Sequence, residues 1–201
     1  MKLLIATSNE GKLREYRHLL RKMPFELAGL KDLGIKEHPE ETGTTLEENA
    51  LLKARFYQKK AGIPVLADDT GLEIDALNGE PGIHARRWPG YEATDQELVD
   101  YTLKRMKGIP LEQRGARFRA VLAVAKGEKD VRLFEGSLTG YITEEAHYPI
   151  VKGYPYRSLF FAPAVGMVLA EAEIEELENL HRREAVEKAR EFLSMLAGSK
   201  V

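Results

Sequence analysis

The chain has 201 residues, no cysteine, and 30 Lys and Arg against 32 Asp and Glu, for a formal net charge of −2. Chains of this length bury roughly 70% of their extended surface on folding and need neither disulfides nor a metal to hold a core. The missing cysteines exclude a disulfide framework, a thiol nucleophile, an iron–sulfur cluster and a cysteine zinc site.

A composition of 43% hydrophobic and 31% charged residues is that of a soluble globular protein. The balanced, interspersed charges argue against a nucleic-acid polymer as partner. The N-terminal apolar stretch is too short for a secretory leader. The longest apolar run, Leu159 to Ala170, contains Pro163 and Gly166 and falls short of the about 20 residues that cross a membrane. The expectation is a cytoplasmic protein with a small-molecule partner.

In chain order, residues 2–7 read as a short buried strand, since a continuous apolar run ends there in polar residues. Lys12 to Lys22 carries Leu13, Tyr16, Leu19 and Leu20 at helical spacing, and Phe25 to Leu30 reads as a second strand. Thr45-Leu46-Glu47-Glu48 has the form of a capping box and opens a helix that Gly62 and Pro64 end near Ala61. Pro64 to Ala67 is a third strand running into a turn at Asp68-Asp69-Thr70-Gly71, and Leu72 to Leu77 a fourth. Thr94-x-x-Glu97 repeats the capping pattern before a helix that stops near Gly108. Residues 116–126 and 131–142 alternate like paired antiparallel strands about a Gly127 turn. A last helix runs from about Ala172 to Leu196. The mixture is a single α/β domain over residues 1–201.

Two constellations carry chemistry. The first is Thr7-Ser8-Asn9-Glu10-Gly11-Lys12, small polar residues, a glycine and a lysine between a strand and a helix. A strand–helix turn of this kind aims backbone N–H groups and the positive end of the helix dipole at one point, which suits a phosphate. Also open is a plain helix cap by Ser8 or Asn9 with Lys12 as a solvated charge. The second is a set of carboxylates at element boundaries: Glu40-Glu41, Glu47-Glu48 and Asp68-Asp69. Adjacent carboxylates repel, and a divalent cation is a common means of holding them; magnesium takes one or two carboxylates plus substrate phosphates. Against this, Glu48 closes the capping box, Glu40 and Glu41 read also as solvated loop charges, and the aspartates as an Asx turn.

These residues occur in the order strand–TSNEGK–helix, EETGTTLEENALLKA (40–54), LADDTGLEIDALNGEPG (66–82) and Arg87. In that order they resemble the inosine triphosphate pyrophosphatase family, also called XTP/dITP diphosphatases. Gly136, Gly140 and Ile142 extend the likeness. The resemblance implies an elongated α/β fold with a central mixed sheet flanked by helices, two lobes with a nucleotide cleft between them, and a homodimer. It implies Mg²⁺-dependent hydrolysis of non-canonical purine nucleoside triphosphates to the monophosphate and pyrophosphate. Thr7 to Lys12 and Lys53 would hold the triphosphate, Glu40 and Asp69 the metal, Asp69 would also be base for the attacking water, and Thr70 would lie at the substrate. Glu41 and Asp68 would be acidic support.

The C-terminal third departs from the family. Where the family reads Gly-Phe-Gly-Tyr-Asp-Pro in its base-binding loop, this chain has Gly153-Tyr154-Pro155-Tyr156-Arg157-Ser158. Tyr154, Tyr156 and Arg157 are the base contacts that this alignment implies. The family's Lys and its Ser-His-Arg align with Glu176 and Leu180-His181-Arg182. An aspartate has thus become basic and a lysine acidic, which reads either as an Arg157–Glu176 pair or as two charges on a solvated face. His181 and Arg182 stand as substrate-binding residues on the family match alone. Trp88 reads as a core or interface residue. Altered base specificity, or a non-catalytic nucleotide-binding protein on the same scaffold, are the rival functional readings.

Overall fold

The computed structural model describes residues 1–172 and 181–198. Strand β1 (Lys2–Ala6) buries Leu3, Leu4 and Ile5 completely, as a strand covered on both faces must. Helix α1 (Glu10–Leu19) begins two residues before the expected Lys12, because Asn9 caps it. β2 (Glu26–Gly29) and α2 (Leu46–Ala61) follow, with Thr45 capping α2 and Gly62 ending it in the left-handed conformation.

The expected pair of strands at 64–67 and 72–77 is one continuous strand, β3 (Val65–Ile74), and Asp68-Asp69 lies inside it instead of in a turn. The Asx-turn reading is therefore wrong. Lone aspartates disfavour strands, but here both carboxylates meet cations, so the chain has no need to turn toward solvent. Gly71 serves the strand in another way. A Cβ there would come within 2.8 Å of the Gly82 carbonyl oxygen, so only glycine lets the two-residue strand β4 (Pro81–Gly82) pair against β3.

Helix α3 (Asp95–Arg105) carries the reciprocal capping box of Thr94 and Glu97 read from the sequence. β5 (Gly115–Gly127) and β6 (Asp130–Ile142) are hydrogen-bonded neighbours whose turn falls at Glu128–Lys129, with Gly127 closing the strand. Short strands β7 (Phe160–Ala162) and β8 (Met167–Val168) complete the sheet, and α4 (His181–Leu196) ends the fold. Ala172, where the last helix was expected to start, is not helical, and residues 173–180 lie outside the described part.

The eight strands form one mixed sheet, ordered β2-β1-β3-β5-β6-β7-β8 with β4 paired to β3. β1 runs parallel to β2 and to β3. The chain clusters into two compact units, one of Met1–Asp69, Ala120–Gly136 and the residues from His181, the other of Thr70–Arg119 and the residues from Ser137. Each has its own core: Leu3, Ile5, Tyr16, Leu66, Leu122 and Phe192 lie in the first, and Leu72, Trp88, Leu98, Phe118 and Phe160 in the second. Trp88 is thus a core residue, as expected. Among the described residues, no helix is long and apolar enough to cross a membrane.

Candidate active site

The parallel pairing of β1 with β3 ends at Ala6 and Ala67; there β1 gives way to the Thr7 turn, while β3 runs on through Asp68 and Asp69 beside it. This is the carboxyl end of parallel strands, where α/β sheets hold ligands. Thr7 Oγ1 accepts from the Asn9 N–H at 3.2 Å, and Asn9 Oδ1 accepts from the N–H groups of Gly11 at 2.8 Å and Lys12 at 3.2 Å. The capping reading of this turn is correct for Asn9. It is wrong for Lys12, which is no solvated charge: its Nζ lies 3.1 Å from Asp68 Oδ2, with the lysine largely buried. Ser8 and Glu10 are exposed, and Glu10 pairs with Lys31. A cavity of about 340 Å³ opens beside Thr7 and Ser8, with Leu13, Leu30, Lys31 and Lys36 also in its wall.

Asp68 is 3% exposed and receives a second cation, Arg182, whose Nε lies 3.3 Å from the same Oδ2 while its Nη1 reaches Glu15 Oε2 at 2.8 Å. Burial alone would raise the Asp68 pKa, but Lys12, Arg182 and Lys53 together outweigh it and hold the carboxyl well below the usual range. Burial in turn lowers the pKa of Lys12, with Asp68 opposing. Arg182 reaches this point because the first turn of α4 rests on β6. A Cβ on Gly136 would fall 2.0 Å from the His181 carbonyl oxygen, so the glycine expected from the family pattern makes room for the helix. His181 is itself buried at that contact.

Asp69 is treated differently. Its Oδ1 lies 2.7 Å from Lys53 Nζ, which also reaches Glu41 Oε1 at 2.9 Å and the Asp68 carbonyl at 3.4 Å. Burial raises the Asp69 pKa and Lys53 does not fully cancel the rise. For Lys53, burial opposes the charge, but Asp69 and Glu41 prevail and its pKa is raised. The two neighbouring aspartates thus sit in environments that push their pKa values in opposite directions.

Of the residues read from the sequence, Thr7, Asn9, Gly11, Lys12, Lys53, Asp68, Asp69 and Arg182 come together in the first unit. Glu41 joins them through Lys53 and so is no merely solvated charge, whereas Glu40 is exposed beside it. Among the described residues, no three His, Cys, Asp or Glu side chains converge as a ready metal cluster. Glu15 was missed; it lies on α1 three residues from Lys12, the spacing that puts two side chains on one helix face. Glu48 accepts from the Thr44 N–H and Oγ1, a variant of the expected box.

The second unit holds Thr70, which follows Asp69 in β3, and the 153–158 segment. The Gly153 N–H donates to Asp95 Oδ2 at 2.8 Å, and the Tyr156 hydroxyl donates to the Ala85 carbonyl at 2.5 Å. Arg157 is buried, with its guanidinium carbon 3.8 Å from the centre of the Tyr154 ring. The solvated-face reading of Arg157 is therefore wrong: the cation is stacked on an aromatic face. Its proposed partner Glu176 lies outside the described residues.

The model of the Ham1 family matches residues 3–192. A dITP/XTP pyrophosphatase of Thermoanaerobacter sp. (strain X514) is 41% identical over 194 residues, covering 96% of each chain. That of Bacillus subtilis (strain 168) is 37% identical over 191 residues, covering 94% of this chain and 96% of its own. Among solved structures, a HAM1 protein from Coxiella burnetii superimposes with a TM-score of 0.84 at 32% identity, covering 97% of this chain and 99% of its own. The Staphylococcus aureus Ham1 protein gives 0.82 at 30%, with the same coverage. The resemblance read from the spaced motifs holds over nearly the whole length, and the chain belongs to the Ham1 family.

Proposed function

We propose that this protein hydrolyses non-canonical purine nucleoside triphosphates, dITP, XTP and ITP, to the monophosphate and pyrophosphate, and so clears deaminated purines from the nucleotide pool. The names of its relatives, dITP/XTP pyrophosphatases, support the reaction class. The observation in this chain that carries the reading is the pair of buried aspartates in β3 held by different cations, Asp68 by Lys12 and Arg182 and Asp69 by Lys53.

Phosphoryl chemistry asks a protein mainly for positioning and charge neutralisation. Lys12, Lys53 and Arg182 bring three cations to Asp68 and Asp69 from α1, α2 and α4. They receive the triphosphate, and Asp68 fixes Lys12 and Arg182 in place. Asp69 takes the proton of the attacking water as the α,β-anhydride breaks and pyrophosphate leaves. No covalent nucleophile is needed.

The donor set fits a magnesium ion. Asp69 and Glu41 already converge on one cation, Glu40 adjoins them, and magnesium needs only one or two carboxylates besides substrate phosphates. When bound, the ion supplies charge neutralisation on the phosphates. Thr70 lies next to the base, and Tyr154, Tyr156, Arg157 and His181 are assigned to the purine on the resemblance. Arg157 bears on base choice: a guanidinium donates only and suits a purine with acceptors at O6 and N7, as the 6-oxo purines have, so its replacement of the family's aspartate bears on selectivity more than on chemistry. The reading also carries a homodimer in the cytoplasm with no nucleic-acid or membrane partner, in keeping with the balanced charge.

The test is a panel of nucleoside and deoxynucleoside triphosphates with product identification. Pyrophosphate and monophosphate from 6-oxo purines are expected. Orthophosphate as first product, or hydrolysis directed at pyrimidines, would overturn the proposal; nucleotide binding without turnover would mark a non-catalytic scaffold.

A further inference from the structure

Glu41 and Lys53 belong to one pre-assembled piece of chain. The loop that carries Glu41 is tied to the start of α2 by Gly43, whose N–H donates to Asn49 Oδ1 at 2.9 Å, and by Thr44, which donates to Glu48. A Cβ on Gly43 would come within 2.6 Å of Asn49 Oδ1, so the approach is close enough to require glycine. Lys53 stands on the same helix and directs its ammonium at Asp69 of β3 and Glu41 of the loop together, at 2.7 and 2.9 Å. One monovalent cation thus sits between two carboxylates.

We propose that Lys53 is a resident stand-in for a divalent cation: it holds Asp69 and Glu41 together in the metal-free protein, and gives both carboxylates up when the metal takes them, freeing its ammonium for substrate phosphate. Glu41 is then the second carboxylate of an exchange site. One ammonium against two carboxylates leaves a net negative charge, which a divalent ion satisfies better than a lysine does. An ammonium and a divalent cation on the same carboxylate oxygen repel each other. The lysine's four-carbon stem lets its compact charge swing away. Metal and triphosphate consequently assist each other's binding. The inference rests on the reading that a metal binds at Asp69.

The experiment titrates the full-length protein with Mn²⁺ alone, without nucleotide, followed by electron paramagnetic resonance. Lys53→Met is expected to bind Mn²⁺ about tenfold more tightly than wild type, the ordinary scale of coupling between two sites. In parallel, the Lys53 ¹³Cε resonance of the wild type is followed during a Mg²⁺ titration and should shift to a new position at saturation. Unchanged or weaker Mn²⁺ binding in Lys53→Met, or an unmoved Lys53 resonance at saturating Mg²⁺, overturns the exchange. Should circular dichroism show Lys53→Met unfolded, the wild-type resonance decides alone. Asp69→Asn separates the two layers: Mn²⁺ binding indifferent to Asp69 sinks the metal reading and the exchange together, whereas Asp69-dependent binding indifferent to Lys53 sinks the exchange only.

Discussion

Asp68 and Asp69 are neighbours in β3, yet they are held by different cations, Asp68 by Lys12 and Arg182 and Asp69 by Lys53. Substituting each by asparagine should therefore have separable consequences. Asp68→Asn removes the buried carboxylate that Lys12 and Arg182 share, and breaking a buried pair on one side costs about 3 kcal/mol. Asp69→Asn leaves Lys53 paired with Glu41, so melting should change little while turnover falls by at least about a hundredfold, the scale of a positioned proton acceptor. Thermal melts set beside pyrophosphate release distinguish them. A stable, inactive Asp68→Asn paired with an unstable, active Asp69→Asn would reverse the assignment.

The different partners of these two residues explain what could be read from the sequence. The Asn9 cap of α1 and the Thr94–Glu97 capping box are local patterns, complete within four residues, and both take the expected form. The turn expected at Asp68–Gly71 fails because its stabilisers are remote: Arg182 is 114 residues along the chain from Asp68. Local propensity pushes aspartates out of a strand, and only the assembled fold brings the cations that reverse this preference. Glu41 and Glu40 are indistinguishable by composition, and the choice of Glu41 for Lys53 follows from the way Gly43 and Thr44 tie the loop to α2. Arg114 carried no motif at all.

Arg114 is buried and donates to four carbonyl oxygens, those of Met106, Ile109, Ile142 and Thr143. It joins the end of α3 to the end of β6, and no methionine can replace the fork. Each buried carbonyl left unpaired costs about 1–3 kcal/mol, so Arg114→Met should lose roughly 3 kcal/mol or more of stability in urea unfolding. A change within experimental error would mean that the segment re-pairs its carbonyls without the guanidinium.

Gly136→Ala tests how α4 is placed. The new methyl would overlap the His181 carbonyl and must push the first turn of the helix outward, taking Arg182 with it. Overpacking of this kind costs about 1–3 kcal/mol. Because Arg182 also positions Lys12 through Asp68, KM for triphosphate should rise along with the loss of stability. A lower melting temperature with unchanged KM would show that the phosphate site does not depend on the seat of α4.

Glu37 offers a pH-dependent readout away from the site. Its hydrogen bond from Lys60, assisted by the N–H groups of Glu37 and Lys36, lowers its pKa to about 2. A carboxyl depressed in the folded state contributes stability above its unfolded pKa of about 4.3. That contribution is lost as pH falls through the folded value near 2. The pair is exposed, so the direct measurement is a carboxyl ¹³C titration: Lys60→Met should move the Glu37 midpoint up toward the unfolded value. A midpoint unmoved by the substitution would assign the depression to the backbone N–H groups instead.

Arg157 decides between altered selectivity and altered chemistry. Its guanidinium lies 3.8 Å over Tyr154, in a segment anchored by Asp95 and Ala85 and separate in the chain from Asp69 and its cations. In the proposed base-contact role, a donor-only group rewards purines that present acceptors and penalises adenine, whose N6 amino group donates. Arg157→Ala should therefore narrow the gap between ITP and ATP by about tenfold, since one bidentate base contact is worth ~1–3 kcal/mol, while kcat for the better substrate changes less. Because the stack over Tyr154 is also lost, Arg157→Lys serves as the companion: it keeps the charge and removes the planar fork, so selectivity should fall while packing is largely kept. If the ratio of kcat/KM for ITP to that for ATP is the same in all three proteins, Arg157 holds Tyr154 in place and does not read the base.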